Sequence, residues 1–399
     1  MRSRTVVVGA LGYFVDIFDL FLFSVLRVPS LRSLGVPQNQ LLSEGVFILN
    51  AQLVGLMIGS VIWGMLGDRR GRVSALYGSI FLYSTATLAN AFVPTVGWYA
   101  LCRFIAGVGL AGELGAAITL VSESLPVKSR GWGTAIVAGI GLSGGIAAAF
   151  VAERLSWQTC YLIGGGLGFA LLILRLPLRE SEIFQRSLSR ANRGSLKLLF
   201  SKPILRARFF RLLAVGIPIW YVAGILMVFS PELANALNIS GGPVSAARSI
   251  LYSYIGVAIG DFVSGFVSQL LHSRKRVVGI FMSLIAVSIF IFFGLANGSA
   301  SAFYGVCFAL GFGTGYWAVL VTMAAESFGT NVRATVTTMV PNFVRASAIP
   351  LALIFQMTAP RFGPLPAAIG LGVAALLLAA WAIRGLPESF GRSLEYVEN

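Results

Sequence analysis

The sequence predicts an all-α integral membrane protein, with twelve transmembrane helices in two pseudo-symmetric six-helix bundles. Its composition, its recurring long apolar runs and an internal repeat carry that prediction. Of 399 residues, 57% are hydrophobic and only 11% are charged. A soluble domain carries about 25% charged residues, and needs them to cover a water-facing surface. Stretches of 18 or more predominantly apolar residues recur along the whole chain, each long enough to cross a bilayer as a helix. The runs are continuous and do not alternate, which selects helices over a barrel.

Hydropathy places the spans near 5–27, 43–66, 73–93, 97–122, 132–152, 157–176, 209–230, 247–271, 277–297, 301–325, 334–357 and 365–384. Arg2 and Arg4 precede the first of them, and no small-residue cleavage site follows it, so the first helix is expected to stay as its own anchor. The net charge of +15 is an orientation signal. With the amino terminus in the cytoplasm, most of the 30 Lys and Arg residues fall in cytoplasmic segments, ten of them between Arg175 and Arg211. Both termini are then inside, and the basic residues face anionic lipid and not nucleic acid. Cys102, Cys160 and Cys307 lie singly in spans and match no zinc or redox spacing. No metal site is expected.

Six spans precede the basic connection and six follow it, and the two sets repeat. Span four ends in Glu123-Ser-Leu-Pro-Val-Lys-Ser-Arg130-Gly131, and span ten in Glu326-Ser-Phe-Gly-Thr-Asn-Val-Arg333-Ala334. Span six runs out through Arg175-Leu-Pro-Leu-Arg-Glu-Ser, and span twelve through Arg384-Gly-Leu-Pro-Glu-Ser. Span two exits through Gly64-Met-Leu-Gly-Asp68-Arg69-Arg70-Gly71-Arg72. Span eight exits through a degraded copy, Gly265-Phe-Val-Ser-Gln269 followed by Arg274-Lys275-Arg276. The expected organisation is a bundle at 1–176, a basic cytoplasmic connection at 177–208, a second bundle at 209–384 and a tail at 385–399. Duplicated six-helix halves form a transporter architecture, with the solute site near the bilayer midplane where the halves meet.

Here a resemblance becomes specific. G-M-L-G-D-R-R-G-R resembles the loop signature after the second helix of the major facilitator superfamily, and Arg103-x-x-x-Gly107-x-Gly109 its fourth-helix motif. E-S-x-P-x-x-x-R-G and the terminal Leu386-Pro-Glu388-Ser-Phe-Gly391-Arg392 resemble the sugar-porter and metabolite:proton symporter branch. Pro-Glu-Ser departs from that branch's Pro-Glu-Thr, and Gln269 replaces an acid in the second loop. The similarity runs helix for helix along the chain. It implies a monomeric secondary transporter with alternating access, in a bacterial inner membrane, moving a small polar solute such as a sugar or organic acid. It implies protons as coupling ion and no bound cofactor.

Gly107, Gly109 and Gly112 also spell the G-x-G-x-x-G of a dinucleotide loop. That loop needs a strand before it and a helix opening at its first glycine, whereas these glycines lie inside an apolar run. Gly107, Ala111, Gly115 and Thr119 recur every four residues and make a helix face that a neighbouring backbone can approach closely.

Charges at membrane depth cost about 2.5–3.5 kcal/mol or more and mark function by default. Asp16, Asp19, Arg103, Glu113, Asp261 and Arg345 are so placed. Asp16 and Asp19 stand one helical turn apart on one face. Two carboxylates so close cannot both ionise cheaply in a low dielectric, which makes a group able to take up and release a proton. The resemblance implies the same role, for an acid in helix one, for Arg103 and for Glu113 in its Ala-Gly-Glu. Structural ion pairing with Arg103 or Arg345 is the alternative for the aspartates, and an interhelical hydrogen bond for Glu113. Arg345, with Asn342 one turn earlier, either binds an anionic solute or neutralises Asp261. The resemblance makes Asp68, Arg72, Glu123, Arg130, Glu326 and Arg333 a charge network that latches the cytoplasmic side. Trp220 and Tyr221 in span seven, Tyr316 and Trp317 in span ten, and Gln52 with Asn50 in span two are the remaining solute-contact candidates, because aromatic faces and buried amides suit small organic solutes.

Other functions fit less well. Exporters of the superfamily carry a glycine-proline motif in helix five, and this helix has glycines without proline. An uncoupled facilitator would not need the span-one aspartates. A membrane enzyme would need a catalytic cluster, and the lone histidine, His272, sits in a basic loop. A sensor would need a larger soluble domain than the connection offers.

Overall fold

The computed structural model describes residues 2–125, 127–152, 154–176, 180, 193–392 and 394–398. Among the described residues, ten helices are long and apolar enough to cross a membrane, from Val6–Ser33 to Pro364–Arg384. Arg72–Asn90 and Val127–Ala152 occupy the third and fifth places. The third is less apolar than those ten, with Ser and Thr spread along it. The chain is all-helical apart from turns and a single isolated bridge, Ser240 with Ser299, among the described residues. Of the expected connection, 177–179 and 181–192 lie outside the described residues. Its later part is helical, as Leu196–Ser201 and the start of Pro203–Tyr221.

Among the described residues, four spans are not the uninterrupted α-helices that hydropathy draws. Span four is Val96–Leu110 followed by Glu113–Ser124. Span ten is Ala300–Thr314 followed by Trp317–Ser327. Span eleven is Arg333–Ala346 followed by Ala348–Phe362. Span seven passes from α-helix into a π-helical turn at Val222–Met227, one turn beyond Pro218. Proline there lacks the N–H that would continue the regular ladder.

The chain forms two compact units. One comprises Met1–Lys202, Ala324–Phe343 and Ser393–Asn399, the other Pro203–Met323 and Val344–Arg392. Within the first, span two packs on four, three on four and three on six. Within the second, eight packs on ten, nine on ten and nine on twelve. The pairings repeat because the glycines repeat. Added Cβ atoms at Gly55 and Gly59 would strike the carbonyl oxygens of Phe104 and Val108, and at Gly256 and Gly260 those of Phe308 and Phe312. From the other side, Gly107 meets the Gln52 carbonyl and Gly311 the Ser253 carbonyl. These are backbone-to-backbone crossings, possible only without side chains. The glycines of the G-x-G-x-x-G run are thus packing residues: Gly109 abuts Tyr83, and Gly112 abuts Ser79 and Trp63.

The two tails that follow spans six and twelve do matching work. Glu180 accepts from Val73 N–H at 3.1 Å, at the start of span three. Glu388 accepts from Arg274 N–H at 2.9 Å, at the start of span nine, and from the Ser273 hydroxyl. Each carboxylate closes an open helix N-terminus, where the unpaired N–H groups and the helix dipole favour an anion. Burial works against the charge on Glu388. The Ser273 hydroxyl and the N–H groups of Phe390, Arg274 and Ser389 outweigh it and hold this carboxyl below its usual pKa.

Gly107→Ala and Gly311→Ala are each expected to lower the melting temperature of the purified protein by the equivalent of about 1–3 kcal/mol, the usual cost of overpacking. Gly279→Ala and Gly305→Ala, where nothing lies within 4 Å of the new methyl, leave it unchanged; thermal-shift measurement in detergent separates the two pairs. For Glu388, a lowered folded-state pKa means stability that is present at neutral pH and is lost as pH falls through that value. Glu388→Gln therefore melts below wild type at pH near 7, and the gap closes on acidification; a gap that stays constant with pH would contradict the capping role.

Candidate functional site

The membrane-depth charges of the first unit assemble into two buried ion pairs. Asp19 in span one receives Arg103 Nη2 from span four at 3.2 Å and the Thr87 hydroxyl from span three at 2.8 Å. The Arg103 guanidinium lies 5.2 Å from the centroid of the Tyr161 ring. Tyr161 and Tyr99 share a 2.5 Å hydroxyl contact. Asp19, Arg103 and Asp16 are all fully buried. The pairing of Asp19 with Arg103 is the alternative left open for the span-one acids, now seen in one conformation.

Glu113 makes the second pair. It begins the second piece of span four and meets Arg175 Nη2 at 2.8 Å, while the Ser79 hydroxyl donates to its other oxygen at 3.1 Å. The contact is tight because Gly12 of span one leaves room for it: a Cβ there would overlap the Arg175 guanidinium. From sequence, Arg175 counts among the orientation charges and is missed as a partner. Its one available signal is position, a basic residue at the end of an apolar run in a unit whose Glu113 needs a cation.

At the basic end of the same unit, the expected latch residues come together. Glu123 receives Arg72 at 3.1 Å and Arg333 at 2.7 Å, all three buried. Asp68 accepts from the N–H groups of Ala334 and Thr335 at 2.9 and 2.8 Å and from the Thr335 hydroxyl at 2.7 Å, capping the first piece of span eleven. Asp68 also lies 3.5 Å from Arg72. Glu326 is fully buried in this unit. The Arg130 side chain lies outside the described residues. The tail joins in, unannounced by any motif: Arg333 donates to Leu394 O at 2.7 Å, Thr330 N–H to Tyr396 O at 2.8 Å, and Gly329 N–H to the Glu398 carboxylate at 3.1 Å. Two of these three acceptors are backbone carbonyls, which any residue type would supply, so the residue identities carry no signal.

The solute-contact candidates divide. Gln52 is fully buried, and neither atom of its amide has a hydrogen-bond partner among the described residues. Asn50 and Trp220 are half-buried. Asn342 donates to Ala111 O at 3.1 Å, the carbonyl at the interruption of span four, and to Thr338 O at 2.8 Å. In the second unit, Trp317 is buried with the Arg345 guanidinium 5.7 Å from its ring centroid. Tyr221 and Tyr316 spend their hydroxyls on the backbone, on Ala368 O at 2.7 Å and Val215 O at 2.8 Å. A buried tyrosine needs such a partner, and these two use it to tie neighbouring helices. Asp261 accepts from Ala318 N–H at 3.1 Å. No group of three or more metal-ligating side chains occurs among the described residues.

The profile of the Major Facilitator Superfamily matches residues 9–353. The chain belongs to that superfamily. It is 27% identical over 360 residues to the niacin transporter NiaP of Acinetobacter baylyi, covering 82% of this chain and 80% of that one. It is 28% identical over 347 residues to the 3-(3-hydroxy-phenyl)propionate transporter of Escherichia coli, covering 84% and 80%. Among solved structures, the proton:xylose symporter XylE bound to 6-bromo-6-deoxy-D-glucose superposes with a TM-score of 0.77, at 16% identity, over 99% of this chain and 98% of that one. This superfamily member is therefore a multi-pass membrane transporter of small organic solutes, and not an enzyme.

Removing one member of a buried charge group strands the others, at a cost of about 3–5 kcal/mol. Glu123→Gln leaves Arg72 and Arg333 facing an amide, so it lowers stability by that order. Adding Arg333→Met to Glu123→Gln recovers part of the loss. Melting of the single and double variants in detergent checks it, and a double variant no better than the single one contradicts the shared-carboxylate arrangement.

Proposed function

We propose that this transporter is a proton-coupled symporter of a small organic acid, working by alternating access as a monomer in a bacterial inner membrane with both termini in the cytoplasm. The observation that carries the coupling is the buried Asp19–Arg103 pair. An arginine holds a neighbouring carboxylate ionised, and separation of the two lets the carboxylate take a proton. Asp16 stands one turn away on the same helix, and Glu113–Arg175 is a second pair of the same kind. The charge asymmetry of the loops supports the orientation.

The solute class rests on two supports. Niacin and 3-(3-hydroxyphenyl)propionate, named for relatives of this chain, are both ring-bearing carboxylic acids. Arg345 offers a planar fork for a carboxylate, with the Trp317 ring against it. Gln52, Trp220 and Asn342 complete the solute-contacting set, while Tyr221 and Tyr316 serve it indirectly by tying helices of the second unit. Asp68, Arg72, Glu123, Glu326 and Arg333 act as the gate at the cytoplasmic side, with Arg130 beside them in the sequence motif. A sugar is the second candidate, favoured by the likeness of the terminal Pro-Glu-Ser to the sugar-porter motif. Export or uncoupled diffusion would leave the span-one acids without a task.

The test uses de-energised vesicles containing the protein. Adding an aromatic carboxylate is expected to alkalinise the external medium, and adding sugars is expected to leave it unchanged. Asp19→Asn is expected to abolish accumulation against a gradient while sparing solute exchange. Solute uptake without any pH change would overturn the symport reading, and alkalinisation by sugars alone would overturn the choice of solute.

A further inference from the structure

Asp261 is the acid at membrane depth in the second unit. It lies in span eight and is fully buried, and no ion pair of its carboxylate occurs among the described residues. One oxygen, Oδ1, accepts from the N–H of Ala318 at 3.1 Å, and the Trp317 N–H faces the same carboxyl. The other oxygen, Oδ2, has no hydrogen-bond partner among the described residues. The carboxyl therefore sits at the opening of Trp317–Ser327, the second piece of span ten. The fit is close, since Gly315 lies directly against the backbone of Gly260 and Asp261.

The groups around it are few. From span ten come the backbone of Gly315–Ala318 and Tyr316, whose hydroxyl is turned to Val215. Arg345 reaches the same neighbourhood over the Trp317 ring. Tyr254 lies two turns away on span eight itself, within the influence of Arg345. Span nine carries its charges, Arg274, Lys275 and Arg276, only in its first turn. Span seven carries Arg206, Arg208 and Arg211 towards its start, and Tyr221 donates to Ala368. The short helix Ser230–Ala236 brings only Glu232.

The first unit offers a contrast. Glu113, itself the first residue of the second piece of span four, is met by Arg175 at 2.8 Å. At Asp261 a helix N-terminus supplies only about half a unit of positive charge, and no arginine is bonded to the carboxyl among the described residues. An unpaired carboxylate out of reach of water costs several kcal/mol and takes up a neutralising proton instead.

We propose that Asp261 is a second proton-binding site of this transporter, in span eight, where a proton taken up on Oδ2 neutralises a carboxyl held by the N-terminus of the second piece of span ten. The proton enters from bulk water on one side of the membrane and leaves to water on the other when the interruption at Gly315–Tyr316 opens the carboxyl to solvent. No other bond is made or broken. The proposal rests on the proton-coupled reading above and adds a second titrating group to it.

The experiment is proton:solute stoichiometry in vesicles, with wild type, Asp19→Asn and Asp261→Asn side by side. Asparagine keeps the acceptor for Ala318 N–H, so the cap survives while proton binding does not. Asp261→Asn is expected to retain solute exchange and to lower the protons carried per solute molecule by about one. Infrared difference spectra of the wild type should show a protonated-carboxyl C=O stretch at neutral pH that Asp261→Asn removes. Unchanged stoichiometry with a persistent carboxyl stretch would overturn the proposal, while Asp19→Asn still abolishing uphill uptake would leave the symport reading intact. No proton movement in the wild type would sink the symport reading instead, and the infrared band would then decide on Asp261 alone. If Asp261→Asn fails to fold, the wild-type spectrum and its change on Asp261→Glu, which keeps a titrating carboxyl and shifts its band, carry the test.

Discussion

A carboxylate removed from water must be compensated by a cation or by a row of backbone N–H groups, and this chain uses both solutions repeatedly. Asp19, Glu113 and Glu123 are answered by arginines. Asp68, Glu180 and Glu388 are answered by the open ends of helices. The low dielectric that makes each arrangement stable also makes its loss expensive, so these few contacts fix which helix ends and which spans are held together. With charged residues at 11% of the chain, few are left over for ornament.

Much of this was legible in the sequence, and for a physical reason. A hydrocarbon slab accepts few structures, so hydropathy alone locates spans to within a few residues. The glycine stripe in span four was legible as a packing face, because a dinucleotide loop has a strand before it and this stripe has none. Asp68, Arg72, Glu123 and Arg333 were legible as a set because they fall in motifs that resemble those of the superfamily. The aspartate at position 19 was legible as a charge with no excuse for being at depth.

What was not legible depends on contacts distant in sequence. Arg175 is indistinguishable from an orientation charge until Gly12 is seen to make room for it beside Glu113. Glu180 and Glu388 look like tail residues until each is found on the first turn of another span. The interruptions of spans four and ten escape hydropathy because a glycine inside an apolar run is tolerated in a regular helix, so the break depends on neighbours: Asn342 bonding Ala111 O in one case, Asp261 bonding Ala318 N–H in the other. Tyr221 and Tyr316 look like solute-facing aromatics until their hydroxyls are traced to backbone carbonyls.

The glycine crossings have a mechanical consequence. Where two helix backbones touch without side chains between them, neither can roll or slide without collision, so spans two and four form one stiff strut and spans eight and ten another. Elastic deformation is then confined to places where the backbone ladder is already broken: Gly112, Gly315, Ser347 and the π-helical turn after Pro218. Three of those four joints lie within one turn of a buried ionisable acid or arginine named above, or of its partner: Glu113, Asp261's partner Ala318, and Arg345. Titrating or binding at such a side chain loads a flexure and leaves the strut unbent.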